Sequence, residues 1–215
     1  LLTLSVTAAC TDRIEAGAPF ADAPTVRADL LRIATWNLEW LIAPNAFRKL
    51  AAECVPQGAA PGARKRSIPC NVADRLERSE ADYRALARYA TELDADVVAL
   101  QEVDHRCQRS GRVDQTAELA RLTGMDGRFG RAMDFDGGQY GQAVLTKHPL
   151  RTTKVHPLPG SGEPRIGFEV VIGWRNHDIR MVSLHLDIDA RQRAGQAKAL
   201  ADALGGGHLP TVVCG

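Results

Sequence analysis

The sequence predicts a mixed α/β domain, because apolar runs alternate along the chain with segments of helical periodicity. Residues 97–100 and 211–214 are continuous apolar runs, which are typical of strands covered on both faces. Apolar residues recur at helical spacing from Tyr83 to Leu93. The 215 residues, of which 45% are hydrophobic and 25% charged, are enough for one domain with its own core.

The predicted elements follow one another as strands and helices separated by turn signals. Residues 31–36 are predicted to form the first strand, and Ser79 with Asp82 resembles a capping box for the first helix. Two further helices are predicted over residues 114–123, ending at Gly124, and 190–204, ending at Gly205. The other predicted strands are 128–133, 140–147, 165–174 and 179–186, with turns at 137–138, 157–164 and 176–178.

The N-terminal segment resembles the remnant of a secretory signal. Residues 1–9 are uncharged and mostly apolar and lead into Cys10. The segment Thr7-Ala8-Ala9-Cys10 is similar to a bacterial lipobox, so a lipoprotein lipidated at Cys10 and an ordinary cleaved signal are both open. Residues 11–29 predict a linker, and the domain is predicted over residues 30–215. We therefore expect an extracytoplasmic protein that is periplasmic, secreted or lipid-anchored at the cell envelope.

Cysteine usage favours an oxidising compartment. Cys54 and Cys70 bracket a loop rich in proline and glycine, and a disulfide between them would stabilise the protein by about 3 kcal/mol. Cys107 and Cys214 are expected to be separate small residues. The net charge of +1 gives no overall field for nucleic acid. No apolar run approaches the roughly 20 residues needed for a transmembrane helix, and we expect a monomer.

Polar side chains occur where the predicted strands end. Asn37 and Glu39 follow the first strand, Glu102 follows the strand that begins at Val97, and His185 lies late in the strand over residues 179–186. Sites of α/β proteins assemble at strand ends, and carboxylate and amide oxygens suit Mg²⁺. A metal there would neutralise phosphoryl oxygens, and a histidine could transfer a proton. Taken singly, each of these residues has a non-functional interpretation, as a turn residue, a helix cap or a solvated side chain.

Four segments resemble, in order, the motifs of the endonuclease/exonuclease/phosphatase superfamily, the DNase I-like enzymes. The segments are TWNLEW (35–40), DADVVALQE (94–102), YGQAVLTK (140–147) and VSLHLD (182–187), the last followed by Arg193 and Gln196. Asn commonly occupies the place of Gln142 in this family. The resemblance implies a four-layer α/β sandwich, in which two packed mixed sheets are flanked by helices and the site lies at one rim.

The resemblance also implies roles for individual residues. Asn37 and Glu102 correspond to metal-site residues for Mg²⁺ or Mn²⁺, and Glu39 is a lesser candidate for the same metal. His185 corresponds to the histidine that contacts the scissile phosphate and assists the leaving group. The remaining candidates for contacts with the substrate phosphate are Arg165 and Tyr140, for which a surface charge and a core aromatic are the alternatives.

The activity implied by the resemblance is metal-dependent hydrolysis of a phosphate ester bond by water, with a nuclease acting on DNA or RNA as the first choice. A sphingomyelinase-like or inositol-phosphatase-like hydrolase stays open, as does a non-catalytic surface binding module. Residues 211–214 resemble the strand that precedes an Asp-x-Asn motif and a later Asp-His pair. Because neither motif follows, we expect a domain truncated at its C-terminus and weak or no turnover by this fragment alone.

Overall fold

The computed structural model describes residues 30–38 and 83–215. In these residues the strands are β1 (Ile33–Asn37), β2 (Val97–His105), β3 (Asp126–Phe135), β4 (Gly138–Thr146), β5 (Leu150–Leu158), β6 (Arg165–Trp174), β7 (His177–Leu184) and β8 (Thr211–Cys214). The helices are α1 (Tyr83–Glu92), α2 (Gln115–Thr123) and α3 (Ala190–Leu204). The predicted signal remnant, linker, capping box and loop disulfide, with Cys10 and Glu39, lie outside the described residues.

The described strands form two sheets of four strands each. One sheet has the order β1-β2-β4-β3 and the other β5-β6-β7-β8. β1 is parallel to β2 and β7 is parallel to β8, whereas the remaining neighbours are antiparallel. Both sheets are therefore mixed, as the sequence predicts.

Two apolar cores hold the layers together. The first joins α1 and α2 to the β1-β2-β4-β3 sheet and includes Val98, Leu100 and Leu119. The second lies between the two sheets, where Val97 and Val144 belong to the same buried cluster as Phe168 and other residues of β6 and β7. α3 covers the other face of the second sheet, since a Cβ at Gly167 would lie 2.8 Å from the Leu200 side chain. The predicted four-layer sandwich is confirmed.

The helix ends follow local signals in the sequence. Asp114 caps α2, because its side chain accepts a hydrogen bond from the Ala117 N–H at 3.0 Å. Gly124 ends α2 in the left-handed conformation, with φ 68°. Asp189 caps α3 in the same way as Asp114 caps α2. No helix in the described part of the chain is long and apolar enough to cross a membrane.

β5 is a strand that the sequence pattern did not predict. It pairs antiparallel with β6 and lies at an edge of the described sheet. His156 is its only buried residue, so the strand carries no apolar alternation by which it could be recognised. Pro157 lies within it, as is tolerated at a sheet edge. The turn expected over residues 157–164 consequently begins later, because β5 extends to Leu158.

The two cysteines in the described residues are unpaired, as predicted. Cys107 is buried and Cys214 is half-buried, and both thiols are free. Burial is the main cause that raises the pKa of Cys107 to about 12, and burial raises that of Cys214 to about 11. Both side chains therefore behave as small apolar groups at neutral pH.

Candidate functional site

A β-bulge within β2 positions Glu102. Leu100 and Val103 pair with Ala143 and Gly141 of β4, so three steps along β2 oppose two steps along β4. Within the extra length, Glu102 has φ 56°, a left-handed conformation that strains a non-glycine residue. The expectation that the strand ends before Glu102 is wrong, because β2 continues through this residue to His105.

The bulge changes the face on which the β2 side chains lie. Val98, Leu100 and Val103 all pack in the core beneath α1 and α2. In an uninterrupted strand successive side chains alternate between faces, so Glu102 rather than Val103 would share the face of Leu100. Instead, Gln101 and Glu102 both approach residues of the second sheet and of the loop after β7. Strained residues of this kind are enriched at functional sites.

Asn37 and Glu102 form the first contact of the site. Asn37 is the last residue of β1, and its Nδ2 donates to Glu102 Oε1 at 2.8 Å. The Asn37 side chain is exposed, and the side chain of Glu102 is 14% exposed. The pair therefore places an exposed amide, at the last residue of β1, beside a largely buried carboxylate, at the bulge of β2.

The donor chemistry of this pair fits a hard cation. Mg²⁺ is usually held by one or two carboxylates, with water and substrate phosphate completing its octahedral shell. No group of three or more His, Cys, Asp or Glu residues suited to a metal occurs in residues 30–38 and 83–215. Asn37 and Glu102 could thus supply part of a coordination shell, and Glu39, which lies outside the described residues, stays a prediction.

His185 lies next to this pair, directly after the end of β7. Its Nε2 is 3.8 Å from Glu102 Oε1, and Arg165 Nη1 is 2.9 Å from its Nδ1. Because a guanidinium can only donate hydrogen bonds, Nδ1 is the acceptor and the ring proton is assigned to Nε2. The same Arg165 Nη1 lies 2.8 Å from Glu163 Oε1. The ring nitrogen assigned the proton is thus the one that lies 3.8 Å from Glu102 Oε1, with Arg165 Nη1 3.5 Å away.

The imidazole of His185 is neutral at physiological pH. Burial, and after it the nearby Arg165 cation, lowers the pKa of His185 to about 4. The 3.8 Å separation from Glu102 is therefore a close approach of a neutral ring and a carboxylate, not an ion pair. Such a ring can donate a hydrogen bond to an oxyanion without carrying a charge.

Four of the predicted site residues thus lie together: Asn37, Glu102, His185 and Arg165. Tyr140 is placed differently. It lies in β4 with 4% of its surface exposed, and its ring packs with Phe135 and beneath the guanidinium of Arg109. These contacts agree with the alternative of a core aromatic, and a contact of Tyr140 with the substrate stays a prediction.

Sequence reasoning missed a polar network beneath the site. Gln101 Nε2 donates to Thr35 Oγ1 and to Ser183 Oγ, each at 3.1 Å. The spacing in the sequence could have indicated two members of this network. Thr35 stands two residues before Asn37, and Ser183 stands two residues before His185. Residues two apart in a strand lie on the same face, which places Thr35 and Asn37 on one face of β1.

The described residues form a sandwich of two mixed sheets, and the polar site lies where β1 and β7 end and where β2 bulges. Residues 34–215 match the model of the Endonuclease/Exonuclease/phosphatase family. The chain belongs to this family. None of the curated proteins matches the chain.

Solved structures, two of them from proteins described as members of this family, show the same fold. An endonuclease/exonuclease/phosphatase from Beutenbergia cavernae DSM 12333 aligns with TM-score 0.58 and 21% identity over 86% of this chain and 46% of its own. A family protein from Leptotrichia buccalis C-1013-b aligns with TM-score 0.56 and 15% identity, over 85% and 64%. The human Nocturnin catalytic domain with bound sulfate aligns with TM-score 0.51 and 18% identity, over 86% and 63%. The chain spans less than two thirds of the length of each.

Proposed function

We propose that this protein is a metal-dependent phosphodiesterase, and that a nuclease acting on DNA or RNA is the first candidate within that class. The observation that carries the proposal is the contact between Asn37 and Glu102, with His185 and Arg165 beside it. Membership of a family of nucleases and phosphatases supports it. The sulfate bound to the Nocturnin domain supports recognition of a tetrahedral oxyanion in that protein.

Asn37 and Glu102 would hold Mg²⁺ or Mn²⁺, with Glu39 as a further candidate. When bound, such a cation neutralises phosphoryl oxygens and stabilises a leaving oxygen. The Asn37 amide contributes by fixing the Glu102 carboxylate through the 2.8 Å hydrogen bond. The strained φ of Glu102 contributes by holding the carboxylate on the same side as His185.

His185 would act as a hydrogen-bond donor to the scissile phosphate. With its pKa lowered to about 4 by burial and by Arg165, the ring holds one proton at neutral pH, on Nε2. That proton can bond to a phosphoryl oxygen and strengthen the bond as negative charge develops. Donation of an imidazolium proton to the leaving group would need a pKa nearer neutrality.

Arg165 would provide positive charge for the phosphate oxygens. Its Nη1 is occupied by His185 and Glu163 in this structure, and its side chain is 12% exposed. A guanidinium carries five N–H donors, and since Nε of Arg165 is buried, Nη2 would be the nitrogen that serves an incoming oxyanion. Arg165 thus orients His185 and complements the charge of the substrate.

The test is hydrolysis of bis-p-nitrophenyl phosphate by the full-length protein, with and without Mg²⁺ or Mn²⁺, beside a Glu102→Gln variant. We expect metal-dependent release of nitrophenolate that the variant loses. Comparison of DNA and RNA with sphingomyelin and inositol phosphates would then identify the substrate class. Absence of release with every diester and every metal would overturn the proposal and favour the binding module.

We further propose that the protein acts outside the cytoplasm as a monomer. The proposal is supported by residues 1–10 and by the positions of Cys54 and Cys70. A secretory signal would deliver it there; lipidation of Cys10 would then anchor the protein, whereas cleavage of an ordinary signal would release it. Fractionation of the producing cells, with mass spectrometry of the mature N-terminus, distinguishes an anchored from a secreted form.

A further inference from the structure

A buried hydrogen-bond network joins three strands beneath the candidate site. Gln101 of β2 donates from Nε2 to Thr35 of β1 and to Ser183 of β7, each at 3.1 Å. Ser183 Oγ in turn donates to the Leu100 carbonyl at 3.3 Å. The Gln101 backbone carbonyl accepts from the Leu38 N–H at 3.0 Å. One residue therefore links both parallel strands of the first sheet to the second sheet.

Each arm of the network ends close to a different site residue. Thr35 lies two residues before Asn37, Gln101 is adjacent to Glu102, and Ser183 lies two residues before His185. Thr35 and Asn37 lie on one face of β1, and His185 follows directly after the end of β7, to which Ser183 belongs. The bulge in β2 lets Gln101 and its neighbour Glu102 both approach the second sheet.

Because Gln101 and Ser183 are buried, few positions of their side chains keep the hydrogen bonds of the network. Gln101 is 3% exposed and Ser183 is 0% exposed. A buried polar group that loses its partner bears the full cost of desolvation, so the amide and the hydroxyl have a narrow choice of positions. An apolar pair in the same place would tolerate sliding of one sheet over the other. The network therefore specifies the relative placement of β2 and β7.

We propose that Gln101 is a positioning residue for phosphodiester hydrolysis. Through Thr35 and Ser183 it sets the separation of Glu102 from Asn37 and from His185, which are 2.8 Å and 3.8 Å in this structure. Gln101 touches neither substrate nor cation in this role. The expected effect of Gln101 on the rate of hydrolysis rests on the proposed function. Its expected effect on the position of His185 rests on the hydrogen-bond network alone.

The first experiment measures turnover of bis-p-nitrophenyl phosphate by Gln101→Met, which keeps the length of the side chain and removes its amide. A displacement of about 1 Å between reacting groups can cost on the order of 100-fold in rate, so we expect kcat to fall about 10- to 100-fold with KM little changed. Ser183→Ala should give a smaller loss of the same kind. The double variant should be no worse than Gln101→Met, because both changes break one link.

Gln115→Met is the matched control. Gln115 is a fully buried glutamine in α2, and its Oε1 accepts from the Asp104 N–H at 2.7 Å. This variant should lose stability without the selective loss of kcat. If Gln101→Met and Gln115→Met lose activity only in proportion to their lost stability, the positioning role is refuted. If Gln101→Met does not fold, Thr35→Val and Ser183→Ala provide the same comparison.

A second measurement separates this inference from the proposed activity. The imidazole resonances of His185 in the metal-free protein, assigned with a His185→Asn variant, report its surroundings whether or not the protein hydrolyses a diester. We expect Gln101→Met to shift or broaden these resonances and Gln115→Met to leave them in place. Unchanged His185 resonances in Gln101→Met would overturn the inference, whereas an inactive wild-type protein with shifted resonances would overturn only the proposed function.

Discussion

Asn37 donates its side-chain amide hydrogen to Glu102 at 2.8 Å, joining the end of β1 to the bulge of β2 across 65 residues of chain. The contact explains why Glu102→Gln is an informative substitution. A glutamine carbonyl oxygen at position 102 can still accept this hydrogen bond, so the geometry is retained while the charge is removed.

We therefore expect Glu102→Gln to reduce metal-dependent hydrolysis by at least about 100-fold, as the loss of about 2.7 kcal/mol of transition-state stabilisation would do. The melting temperature should change little, since no core volume is lost. Steady-state kinetics over a range of Mn²⁺ concentrations and thermal denaturation provide the two measurements.

Glu118→Gln is the control for this prediction. Glu118 lies in α2 and pairs with Arg121 one turn along the same helix. Loss of this surface charge should leave kcat unchanged. If Glu102→Gln and Glu118→Gln had comparable activity, the assignment of Glu102 as a metal-site residue would be wrong.

The titration of His185 gives a second prediction, for the metal-free protein. Because burial and then Arg165 lower its pKa to about 4, the ring should stay neutral until the solution is well below the ordinary imidazole value of about 6.5. Arg165→Met removes the second cause and should move the NMR titration midpoint upward. A midpoint above 6 in the wild-type protein would contradict the geometry of this pair.

The sign of the effect on stability follows from the same shift. Between about pH 4 and about pH 6.5 the unfolded chain binds more protons at this histidine than the folded chain, so its contribution to folding improves as the pH rises. The stability is fully present above the unfolded pKa and is lost as the pH falls toward the folded pKa. The pH dependence of the melting temperature should therefore be shallower over this interval in His185→Asn than in the wild-type protein.

Elements of the fold could be predicted from the sequence where neighbouring residues determine them. Asp114 and Gly124 bound α2 through contacts within a few residues, and these ends were predicted from the sequence. β5 was missed because its side chains are mostly exposed and its partner, β6, supplies the strand pairing. An edge strand whose side chains are mostly exposed has no alternating apolar residues from which it could be predicted.

The site was predictable to a similar extent. Asn37, Glu102, His185 and Arg165 were predicted from polar residues at strand ends and from motif resemblance, and the structure brings them together. The bulge at Glu102 and the role of Gln101 were not predicted, because both depend on the register of β2 against β4 and on contact with β7. Pairing between distant segments leaves no local pattern by which these features could be recognised.

Close packing between the sheets gives a third prediction, at Gly130 of β3. A Cβ added there would overlap the ring of Phe168 in β6, and Phe168 is buried in the core between the sheets. We expect Gly130→Ala to destabilise the protein by about 1–3 kcal/mol through overpacking. Chemical denaturation measures the change in the free energy of unfolding.

Gly195→Ala is the opposite control in the same protein. Gly195 lies inside α3, and a Cβ there would meet no atom within 4 Å apart from its chain neighbours and the backbone of its own helix. Alanine should stabilise the helix by about 0.5–1 kcal/mol relative to glycine. If Gly130→Ala stabilised the protein as Gly195→Ala is expected to do, the close approach of Gly130 to Phe168 would be refuted. Restored stability in Gly130→Ala combined with Phe168→Leu would confirm its cause.

The cysteines give a last prediction, on the protein isolated from an oxidising compartment. Alkylation under denaturing conditions before reduction should label Cys107 and Cys214, whose thiols are free, and should leave the predicted Cys54–Cys70 disulfide unlabelled. In the folded protein Cys107 should react far more slowly, because burial and the nearby Asp104 carboxylate raise its pKa to about 12 and the thiolate is the reactive form. Peptide mass spectrometry assigns each site, and alkylated Cys54 or Cys70 before reduction would rule out the disulfide.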